Sequence, residues 1–113
     1  MMNVRFEYLY RDVDGHKYWG QVVFANPNNI ALGAIIAAAQ DALVAGCYFL
    51  PAALGLPSQH PPSVMSEQGS GDDCWHEAHS FTASHELPSD ARHRTIEAFI
   101  FCLQRSCSPA RPA

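Results

Sequence analysis

Apolar and polar side chains alternate along the start of the chain. Val4, Phe6, Tyr8 and Tyr10 fall on one side of an extended backbone; Arg5, Glu7 and Arg11 fall on the other, with Leu9 among them. A period of two predicts a half-buried strand over 4–11. A second run, "KYWGQVVFA" at 17–25, is rich in aromatic and β-branched residues and predicts another strand. Between them, Asp14-Gly15 signals a two-residue hairpin turn. Such a turn sets Tyr10 opposite Trp19, Tyr8 opposite Gln21, Phe6 opposite Val23 and Val4 opposite Ala25. Cross-strand pairs of this kind contribute about 0.2–1 kcal/mol each.

"NPNN" at 26–29 ends the strand, because proline donates nothing to a ladder and asparagine favours turns and helix caps. The period then changes. Leu32, Ile35, Ile36, Ala39 and Leu43 recur at helical spacing and predict a helix over 30–45, closed by Gly46. Its other face is small and uncharged: Gly33, Ala34, Ala37, Ala38 and Ala45 leave only Gln40 and Asp41 clearly polar. A face without charge suits packing against a second surface, so Ala34, Ala37, Ala38 and Ala45 are candidate interface residues for a homodimer. A short strand fits 47–50, stopped by Pro51. Residues 57–73, rich in proline, serine and glycine, read as a flexible loop. "CWHEAHSFTA" at 74–83 reads as a strand, and Ile96, Phe99, Ile100 and Leu103 predict a helix over 95–105 with Thr95 as its N-cap.

The order β-β-α-(β)-β-α predicts an α+β two-layer sandwich, an antiparallel sheet with two helices and an N-terminal β-hairpin. A single domain over 1–106 is expected, with a disordered tail at 107–113. The 113 residues carry a net charge of −4 and are 48% hydrophobic, which predicts a globular chain without the basic surface that nucleic acid requires. The start shows no signal-peptide pattern, and "IALGAIIAAAQDALVAGCYFL" is too interrupted to span a membrane. A soluble, cytoplasmic protein is expected. Cys47, Cys74, Cys102 and Cys107 lack C-x-x-C spacing and read as independent thiols.

Chemistry concentrates in "CWHEAHSFTASHE" at 74–86. Cys74, His76, Glu77 and His79 are candidate zinc ligands, with His85 and the more distant His60 as further donors. Strand alternation divides them, placing Cys74 and His76 on one face and Glu77, His79 and His85 on the other. "HEAH" is also one residue shorter than the H-E-x-x-H zinc motif. Cys74 beside His76 could form an activated thiol, but no Gly-rich elbow accompanies it. Phosphate-cradling glycine motifs are absent from the sequence. Tyr8, Tyr10 and Trp19, with Phe6, form an aromatic set read mainly as core, with its tyrosine end a candidate ligand rim.

"FEYLYRD", "KYWGQVVFANP", "GCYFLPAALGLP" and "CWHE" together resemble a group of short, uncharacterised bacterial proteins. Those chains begin with a Tyr-Leu-Tyr-Arg-Asp strand, continue to a Trp-Gly strand ending in Asn-Pro, and carry Trp-His-Glu later. The resemblance covers most of the chain before the tail and implies a bacterial, cytosolic, single-domain protein without implying an activity. The relatives have a charged first helix where this chain has alanines. The function expected is non-catalytic, in a protein-interaction or self-associating module without a cofactor. The alternative is a metal-dependent or hydrolytic enzyme using His76, Glu77 and His79, with zinc as its cofactor.

Overall fold

The computed structural model describes residues 2–59 and 75–107. Among the described residues seven elements follow one another: β1 (Asn3–Arg11), β2 (Lys17–Phe24), α1 (Leu32–Ala42), β3 (Tyr48–Phe49), α2 (Pro51–Leu54), β4 (His76–Ser84) and α3 (Ile96–Cys107). The strands form one antiparallel sheet in the order β2-β1-β4-β3. The fold is α+β with an N-terminal hairpin. Cys74, His60, most of the expected loop and the last six residues lie outside the described residues.

The hairpin register differs by one residue from the sequence-based expectation. Val4 pairs with Phe24, Phe6 with Val22, Tyr8 with Gly20, Leu9 with Trp19 and Tyr10 with Tyr18. The turn is longer than Asp14-Gly15 alone suggests. Asp12 N–H donates to the His16 carbonyl at 3.0 Å, and Gly15 N–H to the Asp12 carbonyl at 2.9 Å, leaving a three-residue loop. Gly15 takes the left-handed conformation (φ 87°) that such a loop requires. The Asp12 side chain selects it by accepting from the N–H groups of Asp14 and His16, both at 2.9 Å. A shift of one residue changes which face each β2 side chain shares with its β1 neighbours. Trp19 therefore sits on the opposite face from Tyr8 and Tyr10.

Helix α1 is shorter than predicted. Asn26 anchors its approach, accepting from Ile30 N–H at 3.0 Å and donating to the Ile30 carbonyl at 3.1 Å. The helix stops at Ala42, and Leu43 is already extended. Ala45 and Gly46, both at positive φ (53° and 80°), make a tight turn that returns Tyr48 to Val44 through paired N–H···O bonds of 3.0 and 2.8 Å. Ala45 is thus a turn residue and not part of the helical face. Helix α2 was not anticipated: Pro51 reads as a stop, yet it occupies the first helical turn, where a missing N–H costs nothing. Gly55 ends that helix in the left-handed conformation.

Helix α3 begins as expected, with Thr95 Oγ1 accepting from Ala98 N–H at 3.2 Å. Ile96 N–H donates to the Ala25 carbonyl at 2.8 Å, and the Asn28 side chain bonds Glu97, so α1 and α3 start at the same end of the sheet. One apolar cluster joins the elements. Phe6 stacks on Phe81 at 4.7 Å and touches Tyr8, Phe49 and Phe99 at 5.4, 5.8 and 5.4 Å, while Phe99 stacks on Phe24 at 4.3 Å. Ile35, Ala39 and Leu43 from the α1 segment and Ile96, Ile100 and Leu103 from α3 complete it.

Candidate functional site

Strand β4 bulges where it meets β1. Glu7 pairs with Ser80 but Tyr8 with Ala78, so His79 is an extra, unpaired residue. The bulge resets the alternation along β4. His76, Ala78 and Phe81 share the core face with Tyr8 and Phe6; Glu77 and Ser80 share the other face with Leu9 and Glu7.

His76 is completely buried, with its ring among Tyr10, Tyr8 and Phe49 at 5.4, 6.0 and 6.1 Å. Its Nε2 accepts the Gln59 backbone N–H at 2.9 Å. An imidazole nitrogen that accepts carries no proton, so in this arrangement the neutral ring holds its proton on Nδ1. Nearby, the Tyr8 hydroxyl donates to the Pro57 carbonyl at 2.7 Å and accepts from the Gln59 side chain at 3.3 Å. Burial pushes the Tyr8 phenol up from its ordinary value, and the Gln59 hydrogen bond offsets part of this. Gly20 lies opposite Tyr8, and a Cβ there would sit 2.4 Å from the Gln59 side chain. Thus His76, Tyr8 and Gly20 together hold residues 57–59 against the sheet.

The other face is built as a row across all four strands: Trp19, Leu9, Glu77 and Tyr48 are successive partners. Leu9 is buried, whereas Trp19 and Tyr48 are 50% and 39% exposed. Trp75, two residues before Glu77, is 49% exposed. Arg11 grips Glu77 with two hydrogen bonds, Nε–H to Oε2 at 2.8 Å and Nη2–H to Oε1 at 3.1 Å. This guanidinium holds the Glu77 carboxyl below its usual value, against a smaller opposing effect of burial. His79 meets Trp19 edge-on at 4.9 Å, and both line an open depression with Glu7, Gly20 and Gln21. Ser80 donates to Glu7 Oε1 at 3.3 Å.

The predicted metal set is therefore divided between core and surface. His76 is inside, Glu77 is held by Arg11, His79 is beside Trp19, and Cys74 lies outside the described residues. The tyrosine rim divides too, since Tyr8 is buried and Tyr10 stacks on Tyr18 at 6.1 Å, across the sheet from Trp19. Of the alanines, Ala34 and Ala38 line a groove between α1 and α3, and Ala37 is exposed outside it. Sequence reasoning also passed over Asp12, Asp14 and His16, whose ligand atoms lie within 4.8 Å of one another on the hairpin turn. The Asp-x-Asp-x-His spacing was visible there, but the Asp12 carboxylate already orders the turn.

Among the described residues no helix is long and apolar enough to cross a membrane. No protein-family model matches the chain, and no curated protein or solved structure does either.

Proposed function

We propose that this chain is a non-catalytic protein-binding module, a two-layer α+β sandwich whose docking surface is the sheet face that carries Trp19, Glu77 and Tyr48. The observation that carries this reading is the row Trp19, Leu9, Glu77 and Tyr48, with Trp75 beside it and Arg11 fixed in its middle. Tryptophan, tyrosine and arginine dominate the energy of protein interfaces because each offers large contact area and a polar handle. Here three exposed aromatics surround an arginine whose geometry is set before any partner arrives, which lowers the ordering cost of binding. A bacterial, cytosolic setting is part of the same proposal.

The alternative, a metal-dependent or hydrolytic enzyme built on His76, Glu77 and His79, has less support. A shared ion or substrate would need these donors on one face, and strand alternation sets His76 on the face opposite Glu77.

The test is capture of cytosolic proteins on the immobilised chain, compared with a variant carrying Trp19→Ala and Tyr48→Ala. A specific partner should be retained at least about tenfold less by the variant, equivalent to about 1.4 kcal/mol. Equal retention by both proteins would reject this face. Stoichiometric zinc in the purified protein, lost on His76→Ala or His79→Ala, would favour the enzyme instead.

A further inference from the structure

Strand β4 is flanked unequally. On one side it pairs with β1, and beyond the bulge that pairing is regular from Ser80 opposite Glu7 to Ser84 opposite Asn3. On the other side β3 covers only His76 and Glu77, and Ala78 N–H donates to the Cys47 carbonyl at 2.8 Å. Among the described residues no strand pairs with β4 on that side after Ala78. The path of the chain explains why. It enters β3 from the tight turn at Ala45-Gly46, so this lane of the sheet begins only there. It leaves β4 in the opposite direction, over β1, where the Asn3 side chain donates to the Glu86 carbonyl at 2.8 Å, and continues to Val23. Helix α1 packs on β4 and walls the open edge. Ile36, Gln40 and Leu43 line a groove of about 190 Å³ with Ala78, His79 and Phe81. Leu32 and Ala83 border a further depression toward the end of the strand.

We infer that this edge is a site of β-strand addition. Its occupant is an extended segment of a partner protein, lying beside Ser80–Ser84 in the lane that β3 begins. The chemistry of the edge selects that occupant. A strand paired on one side presents a row of backbone N–H and C=O groups on the other, and only another extended backbone matches that row. At about 3.3 Å per residue the lane takes a guest of about five residues over about 16 Å. The guest's side chains alternate between two environments. One set points into the groove with Ile36 and Phe81 and is small and apolar; the other lies beside Ser80 and Thr82 and is polar. Natural sheets guard exposed edges with charge or proline, and "SFTAS" at 80–84 carries neither. The edge at β2 is different, because Ser89 seals it at Val23. A second copy of this chain is a poor occupant. Two β4 strands side by side bring their two α1 helices to about the strand spacing of 4.8 Å, whereas helix axes need about 8–10 Å.

Strand addition does not depend on the aromatic row, and its test keeps the two apart. In the free protein, hydrogen exchange followed by NMR should show alternate amides of Ser80–Ser84 exchanging at least about a hundredfold faster than those paired with β1. Protection of all of them means that the chain covers its own edge, and overturns the proposal. The probe is a synthetic peptide of alternating valine and threonine, ending in lysine for solubility. Added to isotope-labelled protein, it should shift the resonances of residues 79–84, Ile36 and Gln40 and slow exchange of the open amides. Two versions of the peptide carry N-methyl groups on alternate backbone nitrogens, in opposite phase, and one of them should bind at least tenfold more weakly. Ala83→Lys on the edge and Ile36→Glu on the groove wall should each weaken the parent peptide as much; circular dichroism checks that both variants fold. The protein carrying Trp19→Ala and Tyr48→Ala should bind the peptide as tightly as the parent. No shift at millimolar peptide overturns the proposal. So do shifts that map to Trp19 and Tyr48, indifference to N-methylation in both phases, or a β4-mediated dimer in sedimentation velocity.

Discussion

Asp90 and Arg94 show how much one buried pair can matter in a chain this small. Their side chains are 1% and 8% exposed and share two hydrogen bonds, from Nε–H and Nη2–H, each of 2.9 Å. Asp90 also accepts from Arg94 N–H at 2.9 Å. Burial pushes the Asp90 carboxyl up, but the Arg94 interactions outweigh it and hold the group below its ordinary value. A carboxyl lowered in the native state contributes stability above its unfolded pKa and loses it as pH falls through the folded one. The loss should therefore begin below about pH 4. Asp90→Asn should cost about 3 kcal/mol at neutral pH, because Arg94 stays stacked over Phe99 and Phe24 without its counter-charge. Urea titrations at several pH values should show both the lower stability and a flatter acid limb. Gly55 is a second sensitive residue. Its φ of 72° and a would-be Cβ 2.5 Å from the Arg92 guanidinium carbon predict that Gly55→Ala costs about 1 kcal/mol, plus the displacement of Arg92. Thermal melts would measure it.

The elements differ in how far local sequence determines them. The period-two runs of β1 and β2 and the apolar spacing of α3 were legible because each expresses one dominant regularity. The Thr95 cap was legible for the same reason, and Thr95→Ala should destabilise by about 1 kcal/mol in denaturant titrations. The hairpin register was not legible from Asp14-Gly15, since the Asp12 side chain stabilises a loop one residue longer. That residue decides whether Trp19 joins the tyrosines or faces away from them. The end of α1 was misread because Ala45-Gly46 suits a helix terminus and a tight turn equally, and pairing of Val44 with Tyr48 settles it. The burial of His76 depends on the Gln59 N–H that its ring accepts, a contact between positions seventeen residues apart that no local pattern encodes.

At the scale of the molecule, the core and the candidate docking face make separable demands. Trp19 and Tyr48 contribute little to the apolar cluster, so replacing both with alanine should leave the unfolding free energy within about 1 kcal/mol of the parent. Phe99→Ala should cost about 3–5 kcal/mol, because that ring joins α3 to Phe6 and Phe24. Equilibrium unfolding of the two variants side by side would show the contrast. The connection between β4 and α3 has an effect of another kind. Ser89 occupies both backbone groups of Val23, its Oγ accepting the N–H and its own N–H donating to the carbonyl, each at 2.9 Å. Thr95 then lies against Ala25 as a parallel bridge. A foreign strand adding along β2 would meet this seal before it could pair through to Phe24. Fibre growth by sheet extension needs a free edge at both sides of every subunit, so a molecule sealed along part of one side is a poor link in such a chain.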